Sequence, residues 1–137
     1  MSVLRSIGAV IAGFVVASVV MMIVESINGR VLHPELAKAA QQVTDREALR
    51  ALMADAPLSA LLVVLAGSVL GSVAGGWIAA RLAARSSIRH GVVLGALLTV
   101  AGITNNLMIP PPTWFMIAGL VTFLPSAYLG ARLAPVR

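Results

Sequence analysis

The residues of this 137-residue sequence that could do chemistry in apolar surroundings are one acid and three amides. Glu25 is the only acid inside a long apolar run, and Asn28 follows it by about one helical turn. Asn105 and Asn106 lie near the end of a later apolar run. Because an ionisable side chain inside a membrane span is costly and usually functional, these four residues are candidates for a polar or ion-binding site.

A structural role for the same group is the alternative. Glu25 lies near the end of its run, where its carboxylate could reach the lipid headgroups. The asparagines would then form interhelical hydrogen bonds, each worth about 1 kcal/mol or less. Both interpretations predict that the first and third helices approach each other at this level.

Several other kinds of site are excluded or unsupported. The sequence has no cysteine, which excludes disulfides, thiolate catalysis and cysteine-bound metals. His33 and His90 lie in connecting segments that the predicted topology puts on opposite faces of a membrane, so they cannot share a metal. No nucleophile, base and orienting group occur together. We therefore expect no metal, no cofactor and no enzymatic activity.

Composition sets the fold class. The chain is 59% hydrophobic and 11% charged, whereas soluble domains are about 25% charged. Four apolar runs of about 20 residues each match the ~30 Å hydrocarbon core of a bilayer. The sequence therefore predicts an all-α, four-helix transmembrane bundle forming one domain over residues 1–137, with spans at about 7–28, 58–80, 91–109 and 114–133. The first run is too long for the apolar part of a cleaved signal peptide and ends in polar residues.

The basic residues predict the orientation. The net charge is +5, but the arginines lie at the ends of apolar runs and are not interleaved with aromatics, so we expect a lipid bilayer as partner and no nucleic acid. With both termini inside (N-in/C-in), six basic residues collect on the inner side: Arg5, Arg81, Arg85, Arg89, Arg132 and Arg137. The four outer basic residues are balanced by four acids.

The hydrophilic connector between the first two spans, residues 30–57, is predicted to lie on the outer, extracytoplasmic side and to contain one or two short helices. Pro34 suits the first turn of one, and Thr44 with Glu47 has the spacing of a capping box for the other, which ends near Ala54. Apolar residues on one side would let the second helix lie on the membrane surface or against the mouth of the bundle. An undocked, solvated connector is the alternative. Gly29 is predicted to end the first span in a left-handed conformation.

Small residues recur every four positions in two spans and predict close helix packing. They are Gly67, Gly71 and Gly75 in the second span, and Gly91 and Gly95 in the third. They could pack against helices of the same chain or form the seam of a homo-oligomer. In the fourth span, which Thr113 is predicted to cap, Pro125 removes an amide donor and predicts a helix kink.

A short internal repeat relates the second and fourth spans. Ala80-Arg81-Leu82-Ala83 closes the second, and Ala131-Arg132-Leu133-Ala134 closes the fourth. Because both spans run in the same direction, the repeat would be parallel rather than inverted.

Two segments near the carboxyl end resemble a known group of proteins. Pro112-Thr113-Trp114-Phe115 and the run from Leu124 to Gly130, together with Val43-Thr44-Asp45 and the glycine spacing at Gly67 and Gly71, are similar to a family of small bacterial four-span integral membrane proteins of uncharacterised activity. That family has a Pro-x-Trp-Phe sequence at the start of its last helix. The resemblance covers most of the chain and implies a location in the bacterial inner membrane.

The chain departs from this family at three positions. Relatives carry an Asn near Met21, a His near Val64 and an acid near Gly119, where this sequence is apolar or has Gly. Chemistry that depends on those three side chains is therefore not expected here.

Two functional hypotheses follow. The first is a non-enzymatic, structural or partner-binding bundle that self-associates through its small-residue faces. The second is a small transporter or channel subunit with a polar site at Glu25, Asn28, Asn105 and Asn106 near the outer mouth.

Overall fold

Helices account for nearly all of the chain in the computed structural model, which describes residues 2–83, 87–108 and 111–134. Within these ranges there are six α-helices, one short π-helical segment and no β-strand. The helices are α1 (Ser2–Ile27), α2 (Pro34–Gln42), α3 (Arg46–Ala54), α4 (Leu58–Leu82), α5 (Ser87–Met108) and α6 (Thr113–Leu133), and the π-helical segment is Asn28–Leu32.

Four of these helices are long and apolar enough to cross a membrane, as the sequence predicts. The candidate spans are Val3–Leu32, Leu58–Leu82, Ile88–Met108 and Thr113–Leu133. The first is longer at both ends than expected, because the helix already includes Arg5 and continues past Glu25 into the π-helical segment. The chain is thus an all-helical bundle whose four long helices are consistent with a multi-pass membrane protein.

The start of α1 and the end of α6 lie at one end of the bundle, which we call the terminal end. Arg5, in the first turns of α1, donates from Nε to the Leu82 carbonyl oxygen at the end of α4, at 2.9 Å. Ala80 of α4 packs with Ala131 and Ala134 at the end of α6. The short helices α2 and α3 lie at the opposite end, which we call the connector end.

Helix α4 is the centre of the bundle and packs against α1, α5 and α6. Its glycines Gly67, Gly71 and Gly75 face α1. A Cβ on Gly75 would lie 2.5 Å from the carbonyl oxygen of Gly13, and one on Gly71 would lie 2.8 Å from the carbonyl oxygen of Ala17. No side chain fits in such a gap, so only glycine permits this approach of the two backbones.

Glycines also permit close contact between α6 and its neighbours. A Cβ on Gly76 of α4 would collide with the backbone of Ala127, and one on Gly130 of α6 would collide with the backbone of Val73. On α5, Gly91 faces Ala131 and Gly95 faces Leu124. All five glycines singled out in the sequence therefore face another helix of the same chain.

The repeated ends of α4 and α6 have matching conformations. Each helix starts after a proline, Pro57 or Pro112, and each ends at an extended alanine. The backbone angles φ and ψ are −66° and 144° at Ala83 and −68° and 141° at Ala134. The two helices run in the same direction and cross where Gly76 meets Ala127, two residues that correspond in the repeat.

Three local predictions were wrong. Gly29 does not end the first helix in a left-handed conformation, because it lies inside the π-helical segment. Asp45, not Thr44, caps α3 by accepting a hydrogen bond from the Ala48 amide at 2.7 Å. Thr113 is the first residue of α6 and not its cap, since Pro112 precedes the helix and no side chain caps it. Pro125 lies within α6, and its kink stays a prediction.

The glycine contact between α4 and α1 can be tested by adding one methyl group. We expect Gly75→Ala to lower the thermal unfolding midpoint in detergent, because the new Cβ meets a backbone oxygen and overpacking typically costs about 1 to 3 kcal/mol. Gly8→Ala is the matched control, since a Cβ there has nothing within 4 Å. Equal midpoints for the two variants would contradict this packing.

Candidate functional site

A cavity of about 380 Å³ lies among the four long helices, toward the connector end. Its polar lining residues are Ser18, Glu25, Ser68, Asn105 and Asn106. The remainder of the lining is mostly apolar and includes Phe14, Phe115 and Phe123. The cavity therefore combines a single carboxylate, two amides and two hydroxyls with aromatic walls.

Helix periodicity explains how α1 and α5 supply this lining. On α1, residues at positions 14, 18, 21 and 25 follow the spacing of one helical face, so Phe14, Ser18, Met21 and Glu25 all line the cavity. On α5, Asn105 continues the stripe begun by Leu98 and Gly102. The sequence prediction placed Glu25, Asn105 and Asn106 at a similar depth, and in the structure they line the same cavity.

The floor of the cavity is an apolar cluster that separates it from the terminal end. Ala17, Ala79, Leu94 and Leu98 are buried together, and Leu94 is fully buried. Phe14, Met21 and Phe123 pack against this cluster and also line the cavity. This buried cluster closes that side of the cavity, and a separate groove between α1 and α5, lined by Val10, His90 and Leu97, lies nearer the terminal end.

Helix α3 lies over the connector end of the cavity. Met53 of α3 is among the lining residues. Arg46, at the start of α3, donates from Nε to the carbonyl oxygen of Leu107 at 3.0 Å, which ties α3 to the end of α5. Of the arrangements considered for the connector, the structure has α3 against the mouth of the bundle.

Asn28 is separate from the cavity although it belongs to the predicted polar group. Its side chain is buried and donates from Nδ2 to the Ala60 carbonyl oxygen at 3.2 Å. Its Oδ1 accepts from His33 Nδ1 at 2.6 Å, and His33 Nε2 pairs with Ser59 Oγ at 2.9 Å. Asn28, His33 and Ser59 thus form a polar link, which we call the Asn28 latch, between α1 and the start of α4.

The π-helical segment positions this latch. The amide of His33 donates to the carbonyl oxygen of Asn28, five residues earlier, at 2.6 Å. Such wide turns are rare and often occur at functional sites. The Asn28 side chain also interacts with the Glu25 carboxylate one turn before it, so the latch borders the acid that lines the cavity.

A small side chamber of about 60 Å³ extends from the cavity toward α6. Gly119 lines this chamber, while Met21 and Val64 line the main cavity. The resemblance predicts polar side chains in relatives near these three positions, where this chain has Met, Val and Gly.

The serines and phenylalanines of the lining were missed in the sequence analysis. The four-residue step from Phe14 to Ser18 and the seven-residue step from Ser18 to Glu25 were visible in the sequence and could have identified the α1 contribution. No comparable signal identified Phe115 and Phe123, because their role depends on how α6 is rotated against α4.

Ser72, fully buried on α4, has a hydroxyl without a hydrogen-bond partner in the described part of the chain.

The histidines lie far apart, at opposite ends of the bundle. His33 belongs to the Asn28 latch, and His90 is buried beside a groove between α1 and α5 at the terminal end. Among the described residues, no three His, Cys, Asp or Glu side chains are grouped so that they could hold a metal ion.

Comparison with protein-family models, with curated proteins and with solved structures found no match for this chain. The resemblance to the four-span bacterial family consequently rests on the motifs alone and stays a prediction. The proposed function therefore rests on the cavity and its lining residues.

The Asn28 latch predicts a stability difference between two asparagines. Asn28→Ala leaves the Ala60 carbonyl and the Nδ1 of His33 without their partner, so we expect a lower thermal unfolding midpoint, corresponding to about 1 to 3 kcal/mol. Asn106→Ala removes an amide that lines the cavity and should change the midpoint much less. Similar losses for both variants would contradict a specific structural role for Asn28.

Proposed function

We propose that this chain is a non-enzymatic integral membrane protein that binds a small ligand in the Glu25 cavity and acts as a small transporter or transporter subunit. The observation that carries the proposal is an acid within a candidate membrane span that lines a 380 Å³ cavity. Ligand cavities in proteins usually measure about 300 to 1,000 Å³ and combine apolar walls with a few polar groups. This cavity has both properties.

The position of Glu25 favours binding over a purely structural role. A structural acid within a span is expected to be paired across helices or to reach the headgroups. Glu25 is exposed and lines a cavity whose lining contains no Arg, Lys or His among the described residues. Its neighbour Asn28 has the structural role, through contacts to α4 and His33.

Transport would require the apolar floor to open. Leu94 and Leu98 of α5 block the way to the terminal end, and Phe123 of α6 packs against them. Pro125 lies two residues beyond Phe123 and leaves the Val121 carbonyl without a helical partner, which makes this part of α6 a suitable hinge. We therefore place the moving element of the proposed mechanism in α6.

Self-association is the second candidate and has less support. The small residues that could form an oligomer seam already face helices of the same chain, from Gly67 against Val24 to Gly95 against Leu124. A homo-oligomer or a partner protein would have to use another surface.

We further propose an N-in/C-in orientation in the bacterial inner membrane. Arg5, Arg81, Arg89 and Arg132 of the described residues lie toward the terminal end, and Arg81 is 5.7 Å from the centre of the Trp77 ring. Arg85 and Arg137 lie outside the described residues. Basic residues are enriched on the cytoplasmic side of membrane proteins, which supports the terminal end as the inner one.

The ligand site can be tested with cysteines, because the natural sequence has none. Ala101 and its neighbour Val100 are both exposed, but only Ala101 lines the cavity. In lipid vesicles we expect Ala101→Cys to react at least ten times faster than Val100→Cys with a small polar thiol reagent, since a ligand cavity must be reachable from water. Equal protection of both cysteines would overturn the proposed site.

The orientation makes an independent prediction. Gln41→Cys on α2 should be labelled in intact cells by a reagent that cannot cross the membrane, and Val3→Cys should be labelled only after the cells are opened. The reverse pattern would show that the terminal end faces outward. Labelling of both positions in intact cells would contradict a membrane-spanning bundle.

A further inference from the structure

We infer that the ligand of the Glu25 cavity is a hydrophobic organic cation, a compound in which an ammonium group is attached to an aromatic or aliphatic body. This inference rests on the proposed function, because it names the chemical class that the proposed site would bind. It follows from the charge, the aromatic walls and the size of the cavity.

The charge of the lining favours a cation. Glu25 is the only titratable side chain among the described lining residues, and the other polar groups there are uncharged amides and hydroxyls. The Glu25 carboxylate is exposed, but it stands in a mostly apolar lining, where a charge pair interacts more strongly than it would in bulk water. An anionic ligand would find no positive group to pair with and would be repelled by Glu25.

The aromatic walls favour an organic cation. Phe14 of α1 and Phe115 and Phe123 of α6 line the cavity together with Glu25. Aromatic ring faces attract cations, and cages of such rings bind quaternary ammonium groups. The Phe115 ring lies edge-to-face against the neighbouring Trp114, with centroids 5.9 Å apart and planes at 88°.

The size and the composition of the cavity argue against an inorganic ion. A divalent cation such as Ca²⁺ requires six to eight oxygen ligands at close range, and the described residues contain no group of three acids or histidines that could hold a metal. A volume of about 380 Å³ is far larger than one ion, and most of its lining is apolar. The apolar part of an organic cation would occupy this space.

Among organic cations, Asn105 and Asn106 favour primary and secondary amines. Their amide oxygens can accept hydrogen bonds from an ammonium N–H, and both line the cavity with Glu25. A primary or secondary amine can donate to them, whereas a quaternary ammonium cannot. The quaternary compound is nevertheless the cleaner probe, since its charge does not depend on pH.

The test uses two probes of nearly the same shape and different charge. Phenyltrimethylammonium carries a permanent positive charge, and tert-butylbenzene is its uncharged counterpart. Binding of each to the purified full-length protein in detergent is measured by calorimetry and by ligand-observed NMR. We expect the wild-type protein to bind phenyltrimethylammonium at least ten times more tightly than tert-butylbenzene.

Three variants locate the interaction. Glu25→Gln removes the charge with little change in shape and should weaken phenyltrimethylammonium binding at least tenfold. Glu35→Gln makes the same change on the exposed face of α2, outside the cavity, and should leave binding unchanged. Phe115→Leu should weaken phenyltrimethylammonium binding several-fold and tert-butylbenzene binding much less. This second cavity variant keeps the inference testable if Glu25→Gln fails to fold.

The results distinguish a failure of the inferred ligand class from a failure of the proposed function. Equal binding of both probes, unaffected by Glu25→Gln, would overturn the cation class and leave a ligand site for uncharged compounds. Binding of neither probe would overturn the cation class, while the reactivity of Ala101→Cys would decide whether a water-accessible site exists. Cation binding without exchange of labelled phenyltrimethylammonium across proteoliposomes would support the ligand class and remove transport from the proposed function.

Discussion

The close approach of the α4 backbone to α1 and α6 is the contact on which the bundle depends. Helices in a bilayer gain little by burying apolar side chains against one another, because lipid is equally apolar. Their association relies on van der Waals contact, which grows as backbones come closer. Glycines on α4 allow this on two sides, toward Gly13 and Ala17 of α1 and toward Ala127 of α6. Helix α5 completes the bundle through its own glycines.

The cavity lies next to the closely packed part of the bundle. Near the terminal end, alanine, glycine and Leu94 fill the space among the helices. Toward the connector end, Val24 still packs closely against Gly67, and the space beside this contact is lined by Glu25 and the two asparagines of α5. The same helices therefore provide a buried apolar cluster and, next to it, a cavity with room for a ligand.

The sequence predicted the helices well and their contacts only partly. Four helices long and apolar enough to span a membrane follow from hydropathy alone, because backbone hydrogen bonding leaves few other structures for such runs. Spacing also identified Gly67, Gly71 and Gly75 as residues with a packing role. It could not say which helix they face, since that depends on the rotation of α4 among three neighbours.

The candidate site was predicted in outline for a similar reason. Glu25, Asn105 and Asn106 could be placed at one depth by counting residues. Asn28 could not be separated from them, because its inward turn toward Ala60 results from the π-helical segment, for which the sequence has no clear signal. Phe115 and Phe123 escaped notice because aromatic residues in a lipid-facing helix look the same in sequence as those facing a cavity. The Asp45 cap shows the same limit, as two adjacent residues were both suitable.

The matching ends of α4 and α6 have a consequence for the symmetry of the bundle. A helical hairpin that crosses a parallel copy of itself at a glycine or alanine can assemble as a symmetric pair of identical molecules. Within one chain, the two halves can carry different side chains. Here the acid occurs only in the first half and the asparagine pair of the cavity only in the second. One binding site of unlike halves is something that two identical hairpins could not encode.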